Sequence, residues 1–176
     1  DDESRRVYAS IINFKISGDI RYLLDVTTPK AEIYRKIIRL TPNEVYVDLG
    51  AYNGDTIAEV LQYTRGKYIR IYAVEPDRKN FKKLCKYLDG MRYVNAYHAV
   101  AWCKDTTVPF STKAGRQSAV SAFGQEIEAR SVDSILKGRP ATIIKMDVEG
   151  CEREALWGAS QTIAHFSPKL MVSLYH

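Results

Sequence analysis

Residues 44–176 of this 176-residue chain predict a doubly wound α/β sheet with helices on both faces, on three observations. Short β-branched or apolar runs recur at 45–49, 68–74, 94–102, 141–147 and 170–175, bounded by turn residues. Between them apolar residues fall at the three-and-four spacing of amphipathic helices. Strand and helix alternate, which calls for parallel strands joined by right-handed crossovers.

The first 43 residues stand apart as a helical segment. Tyr8, Ile11, Ile12 and Phe14 mark one apolar face, and Ile33, Tyr34, Ile37, Ile38 and Leu40 a second. Gly18-Asp19 and Thr27-Thr28-Pro29 separate the two, and Thr41-Pro42-Asn43 closes the segment. It is expected to cap the acceptor side of the domain that follows. The strand at 45–49 ends at Gly50. Thr56 and Glu59 have capping-box spacing for a helix whose inner face is Ile57, Val60, Leu61 and Thr64. After the strand at 68–74, Pro76 opens a helix with Phe81, Leu84, Cys85 and Leu88 inside and Arg78, Lys79, Lys82, Lys83 and Lys86 outside. A third strand spans 94–102. Short strands at 108–111 and 127–130 flank a Gly/Ser/Gln loop, and a short helix covers 131–136. The fourth core strand is 141–147, a helix covers 152–164, and the fifth strand is 170–175.

Composition excludes several classes. With 45% apolar and 27% charged residues the chain is neither disordered, collagen-like nor a coiled coil. No apolar run approaches the ~18–20 residues of a membrane span. The net charge of +5 is spread over mixed-sign sequence. The basic face at 78–86 lacks interleaved aromatics, so a nucleic-acid partner is not expected. Cys85, Cys103 and Cys151 are odd in number and show no Cys-x-x-Cys spacing, which speaks against disulfides and zinc and for a reducing, cytoplasmic setting. No metal ligand set is read from the sequence. The chain starts without Met and stops on an apolar strand, so both ends are expected to be cut from something longer.

In a doubly wound sheet, ligands bind beyond the carboxyl ends of the strands, where the strand order reverses. Asp48, Gly50, Ala51, Tyr52, Gly54 and Thr56 follow the first strand. The glycines permit a tight turn and close approach of a ligand, and the helix start favours an anion. Asp48, facing the crevice, suits an ammonium; a hydrogen-bonded Asp in a strand–turn–helix joint reads the same way. Glu75-Pro76 ends the second strand 21 residues beyond Gly54, the place of a carboxylate that binds a ribose diol. Asp147 and Glu149 end the fourth strand and His176 the fifth; these are the candidate catalytic bases. His98, His165 and Cys151 read as packing or surface residues. A dinucleotide fold prefers G-x-G-x-x-G, whereas this loop has G-x-x-x-G preceded by an acid, which favours S-adenosyl-L-methionine. A nicotinamide-dependent oxidoreductase and a non-catalytic cofactor-binding module are the alternatives.

The sequence resembles the FkbM-type family of S-adenosylmethionine-dependent methyltransferases. The blocks that carry the resemblance are Val47-Asp48-Leu49-Gly50-Ala51-Tyr52-Asn53-Gly54-Asp55-Thr56, Val74-Glu75-Pro76 and Ser131-Val132-Asp133-Ser134-Ile135-Leu136. The strongest is Ile144-Lys145-Met146-Asp147-Val148-Glu149-Gly150-Cys151-Glu152, with Ala155-Leu156-Trp157-Gly158-Ala159 and Ser173-Leu174-Tyr175-His176 after it. The resemblance implies a Rossmann-like class I methyltransferase fold and methyl transfer to a hydroxyl oxygen, with a small molecule or glycan as acceptor. It implies that Asp48, Gly50, Gly54, Thr56 and Glu75 form the cofactor site and that Asp147 lies near the methyl group. Tyr52 and Cys151 depart from the family's small residues. Since the class I sheet has seven strands and five are read here, the last two are expected beyond His176.

Overall fold

The computed structural model describes residues 1–111, 119–120 (backbone only) and 124–174. The chain divides into two compact units, Asp1–Arg39 and Leu40–His176. The first holds α1 (Asp2–Ser17), α2 (Arg21–Leu24) and α3 (Lys30–Glu32), the last running into a π-helical turn over Ile33–Ile37. The Asp1 carboxylate caps α1 by accepting the Ser4 N–H at 2.7 Å. The apolar side chains on α1 lie on a helix as expected, yet none of its residues is buried.

The second unit runs β1 (Val45–Leu49), α4 (Asp55–Thr64), β2 (Arg70–Val74), α5 (Arg78–Leu88), β3 (Val94–Tyr97), β4 (Val100–Ala101), β5 (Thr106–Ser111), β6 (Ala119–Val120), β7 (Gln125–Arg130), α6 (Val132–Leu136), β8 (Ile143–Met146), α7 (Glu152–Trp157), α8 (Ser160–Phe166) and β9 (Lys169–Val172). The central sheet has the order β3-β2-β1-β8-β9, with every pair parallel. The chain steps outward from β1 to β3 and then crosses to β8, so the reversal point lies between β1 and β8. Every residue of β1 and β8 is buried. Burial on both faces is why these strands read as continuous apolar runs instead of alternating ones. Val47 and Leu49 of β1 and Ile144 and Met146 of β8 share one core cluster with Val132, Ile135 and Leu136 of α6.

A second sheet, β4-β7-β5-β6, departs from the sequence reading. The run at 94–102 is two strands, because the chain leaves the parallel sheet after Tyr97. The Tyr97 carbonyl accepts the Glu75 N–H at 3.1 Å, and Val100–Ala101 then pair with Ala129 and Arg130 of β7. The helix expected at 152–164 is also two. A Cβ on Gly158 would lie 2.0 Å from the Trp102 carbonyl oxygen, and the Asp133 carboxylate accepts the Gln161 and Thr162 N–H groups at 3.0 and 2.9 Å. Asp133 thus starts α8 afresh from across the fold. α4 begins two residues earlier than the capping box implied, with Gly54 at the N-cap position and no side-chain cap. Asp77, not Pro76, starts α5; its Oδ1 accepts the Lys79 and Asn80 N–H groups at 2.8 and 2.9 Å. β9 ends at Val172, and Tyr175 and His176 lie outside the described residues. Among the described residues no helix is long and apolar enough to cross a membrane.

Candidate active site

The loop between β1 and α4 is shaped by the protein's own packing. Gly50 has φ +76°, and a Cβ there would lie 1.9 Å from the Asp147 carbonyl oxygen. Gly54 has φ +91°, and its Cβ would meet the Tyr87 ring at 2.4 Å. Both positions therefore demand glycine for steric reasons internal to the fold. The close approach expected for a ligand is made instead by the β8 exit and by α5.

The backbone amides of this loop are nearly all engaged. Gly50 and Ala51 donate to the Val74 carbonyl at 2.9 and 3.0 Å, and Gly54 to the Ala51 carbonyl at 2.8 Å. Tyr52 donates to Glu75 Oε2 at 2.8 Å, Asp55 to Asn53 Oδ1 at 3.2 Å and Thr56 to Asp55 Oδ1 at 2.9 Å. Asn53 and Asp55 thus occupy amides at the start of α4 that sequence reasoning left open to an anion. A pyrophosphate cradle needs those amides unpaired, so the loop is poorly suited to a dinucleotide.

A cavity of about 280 Å³ opens at the carboxyl ends of β1, β2 and β8. Of the sequence-derived cofactor residues, Gly50, Tyr52, Thr56, Glu75 and Pro76 line it; Asp48, Ala51 and Gly54 do not. Of the candidate bases, Asp147 and Glu149 line it, whereas His176 falls outside the described residues. The wall also includes Asp55, Asn80, Lys145, Val148 and Cys151, and Val100, Ala101 and Phe110 from the second sheet. Cys151 is 6% exposed and is one of three free cysteines. His98 stacks on Phe81 at 5.1 Å and His165 bonds the Gln161 carbonyl, as packing and surface residues do.

Asp48 corrects the sequence reading. Its carboxylate does not face the crevice: it is fully buried and pairs with Lys145, Nζ to Oδ1 3.1 Å. The two are register partners across the β1–β8 ladder, which puts their side chains on one face. Burial pushes the Asp48 carboxyl above the usual range, opposed by the Lys145 ammonium and by Tyr46. Lys145 also donates to the Gly50 carbonyl at 2.8 Å. It went unnoticed in the sequence as one charge in an apolar strand; an acid at the matching position of the neighbouring strand is the signal that could have found it.

Glu75 is 5% exposed and anchors two turns, accepting the Tyr52 and Asp77 N–H groups through opposite oxygens at 2.8 Å each. Burial raises its pKa from 4.5 to about 7, although both amides favour the ionised form. The folded chain therefore holds this proton more tightly than the unfolded chain does. The associated stability is complete below pH 4.5 and is lost as pH rises through about 7. At ~1.4 kcal/mol per unit, the loss is at most about 3 kcal/mol. Urea unfolding at pH 5 and pH 8 should show it in the wild type and a flatter profile in Glu75→Gln; identical profiles would refute the assignment.

The β8 exit folds back sharply. Glu149 and Gly150 are both left-handed, with φ +53° and +97°. Glu152 closes the turn by accepting the Val148 and Gly150 N–H groups at 3.0 Å each. Strained non-glycine residues cluster at functional sites, and Tyr52, at φ +49°, is a second one on the cavity wall.

The FkbM methyltransferase domain model matches residues 48–176. The chain belongs to the FkbM methyltransferase family. The matched residues include each cavity-lining residue named above. A solved FkbM methyltransferase from Methylobacillus flagellatus KT superposes over 100% of this chain with a TM-score of 0.82 and 29% identity. The FkbM chain described here spans 45% of the length of that protein. An rRNA methylase from Streptococcus thermophilus is more distant, with a TM-score of 0.46, 12% identity and coverage of 76% of this chain and 62% of its own. Fibrillarin from Aeropyrum pernix, solved with S-adenosyl-L-methionine, has a TM-score of 0.45, 15% identity and coverage of 77% and 47%. No curated protein matches the chain significantly.

Proposed function

We propose that this FkbM domain binds S-adenosyl-L-methionine in the strand-end cavity and transfers its methyl group to a hydroxyl oxygen of a small-molecule or glycan acceptor. The observation that carries the reading is Glu75: a buried carboxylate at the end of β2, lining the cavity, fixed by two backbone amides and left with lone pairs for a ribose diol. The surrounding chemistry fits the same ligand. Pro76, Val100, Ala101 and Phe110 give an apolar wall for a base, and Asp55, Glu75, Asp147 and Glu149 favour a cationic ligand. The engaged amides of the β1–α4 loop weigh against the nicotinamide alternative.

When bound, the cofactor supplies a methyl group on a sulfonium whose departure leaves a neutral thioether. The chain's part is placement and proton handling. Glu75 orients the ribose, and Tyr52 and Thr56 shape the floor beside it. A hydroxyl acceptor must lose its proton as the new bond forms. Asp147, at the β8 exit, is the first candidate to take it, followed by Glu149 and then His176. The setting is proposed to be cytoplasmic.

S-Adenosylhomocysteine at 100 times its Kd should stabilise the chain by about 2.7 kcal/mol, which raises Tm by roughly 5–10 °C at this size. Glu75→Ala should remove most of that rise, and NAD(H) should produce none. An unchanged Tm with S-adenosylhomocysteine, or a rise with NAD(H) alone, would reject the reading.

A further inference from the structure

Lys145 is the one cationic side chain among the described residues lining the cavity, against the carboxylates of Asp55, Glu75, Asp147 and Glu149. Its ammonium has three donors. Among the described residues it has two partners, Asp48 Oδ1 at 3.1 Å and the Gly50 carbonyl at 2.8 Å. The side chain keeps 11% of its surface exposed, and that surface belongs to the cavity wall. With one hydrogen bond to the Gly50 carbonyl and an ion pair to Asp48, the ammonium keeps donor capacity for a ligand, in a cavity whose other obvious anion site is closed, since Asn53 and Asp55 take the amides that begin α4.

We propose that Lys145 is a ligand-positioning residue that receives the carboxylate of the cofactor's amino-acid tail. This rests on the reading of the cavity as the S-adenosyl-L-methionine site. Glu75 stands at the end of β2 and Lys145 on β8, with β1 between them. Two strand spacings of ~4.8 Å separate these positions, or about 10 Å. An amino-acid tail leaving a ribose on Glu75 crosses β1 and brings its carboxylate to β8. Asp48 completes the arrangement, because its charge balances the Lys145 ammonium and leaves the floor neutral beneath a sulfonium. Lys145 binds the tail without repelling the cation attached to it.

The test is calorimetric binding of two ligands, S-adenosylhomocysteine and 5′-methylthioadenosine, which lacks the tail carboxylate. Lys145→Met alone leaves Asp48 buried without a cation, so the proteins to compare are wild type, Asp48→Asn and the Asp48→Asn/Lys145→Met pair. Relative to Asp48→Asn, the pair should lose roughly 10–100-fold in affinity for S-adenosylhomocysteine, the worth of a charge-assisted hydrogen bond. Its affinity for 5′-methylthioadenosine should change by no more than about twofold. Equal losses for both ligands, or no loss for either, would overturn the role of Lys145 while leaving the cofactor reading intact. A wild type that binds neither ligand would reject the cofactor reading, and this role with it.

Discussion

Replacing Gly50 with alanine should damage the fold and the site together, more than any other single-methyl change in the β1–α4 loop. The new methyl would lie 1.9 Å from the Asp147 carbonyl oxygen and 2.9 Å from its carbon, both backbone atoms that no rotamer change can move. The φ of +76° adds the cost of a left-handed alanine, about 1 kcal/mol. The strand exit that carries Asp147, Val148 and Glu149 must shift to make room, and these residues form one side of the cavity. A loss of about 3 kcal/mol or more in urea unfolding is expected, in the range of severe backbone and packing defects, together with weakened S-adenosylhomocysteine binding. Wild-type stability in Gly50→Ala would show that the contact between the two strand exits is not as tight as described.

The second large effect concerns the Asp48–Lys145 pair. Lys145→Met strands a fully buried carboxylate, and breaking a buried ion pair by removing one partner costs about 3–5 kcal/mol. Asp48→Asn should cost less, because Lys145 keeps the Gly50 carbonyl and its access to the cavity. The double variant should recover much of the loss, with a coupling energy of about 1–3 kcal/mol in a double-mutant cycle. Additive losses would mean that the two side chains do not depend on each other.

The sequence was readable where local chemistry and tertiary packing agree. The inner strands of the central sheet, β1, β2 and β8, are buried on both faces, so their apolar runs stand out, and Glu75 could be located by its distance from Gly54. Gly50 and Gly54 stand out in the sequence as turn residues, but what fills the space beside them, Asp147 and Tyr87, lies about 97 and 33 residues away, where periodicity does not reveal it. Asp48 was assigned to the crevice because the charge that holds it, Lys145, lies on a strand distant in sequence. The break between β3 and β4 was missed because His98 and Ala99 are not turn formers; the break is imposed by pairing with β7. The split between α7 and α8 likewise depends on Asp133, a cap from another element.

Calorimetric binding of S-adenosylhomocysteine at pH 6 and pH 8 tests the central claim most directly. A ribose diol donating to Glu75 selects the ionised carboxylate, whose pKa in the ligand-free protein is about 7. Binding should therefore be about tenfold tighter at pH 8 than at pH 6, with net proton release near pH 7. Both effects should vanish in Glu75→Gln. An affinity independent of pH and unchanged by that substitution, or no binding at either pH, would contradict the account.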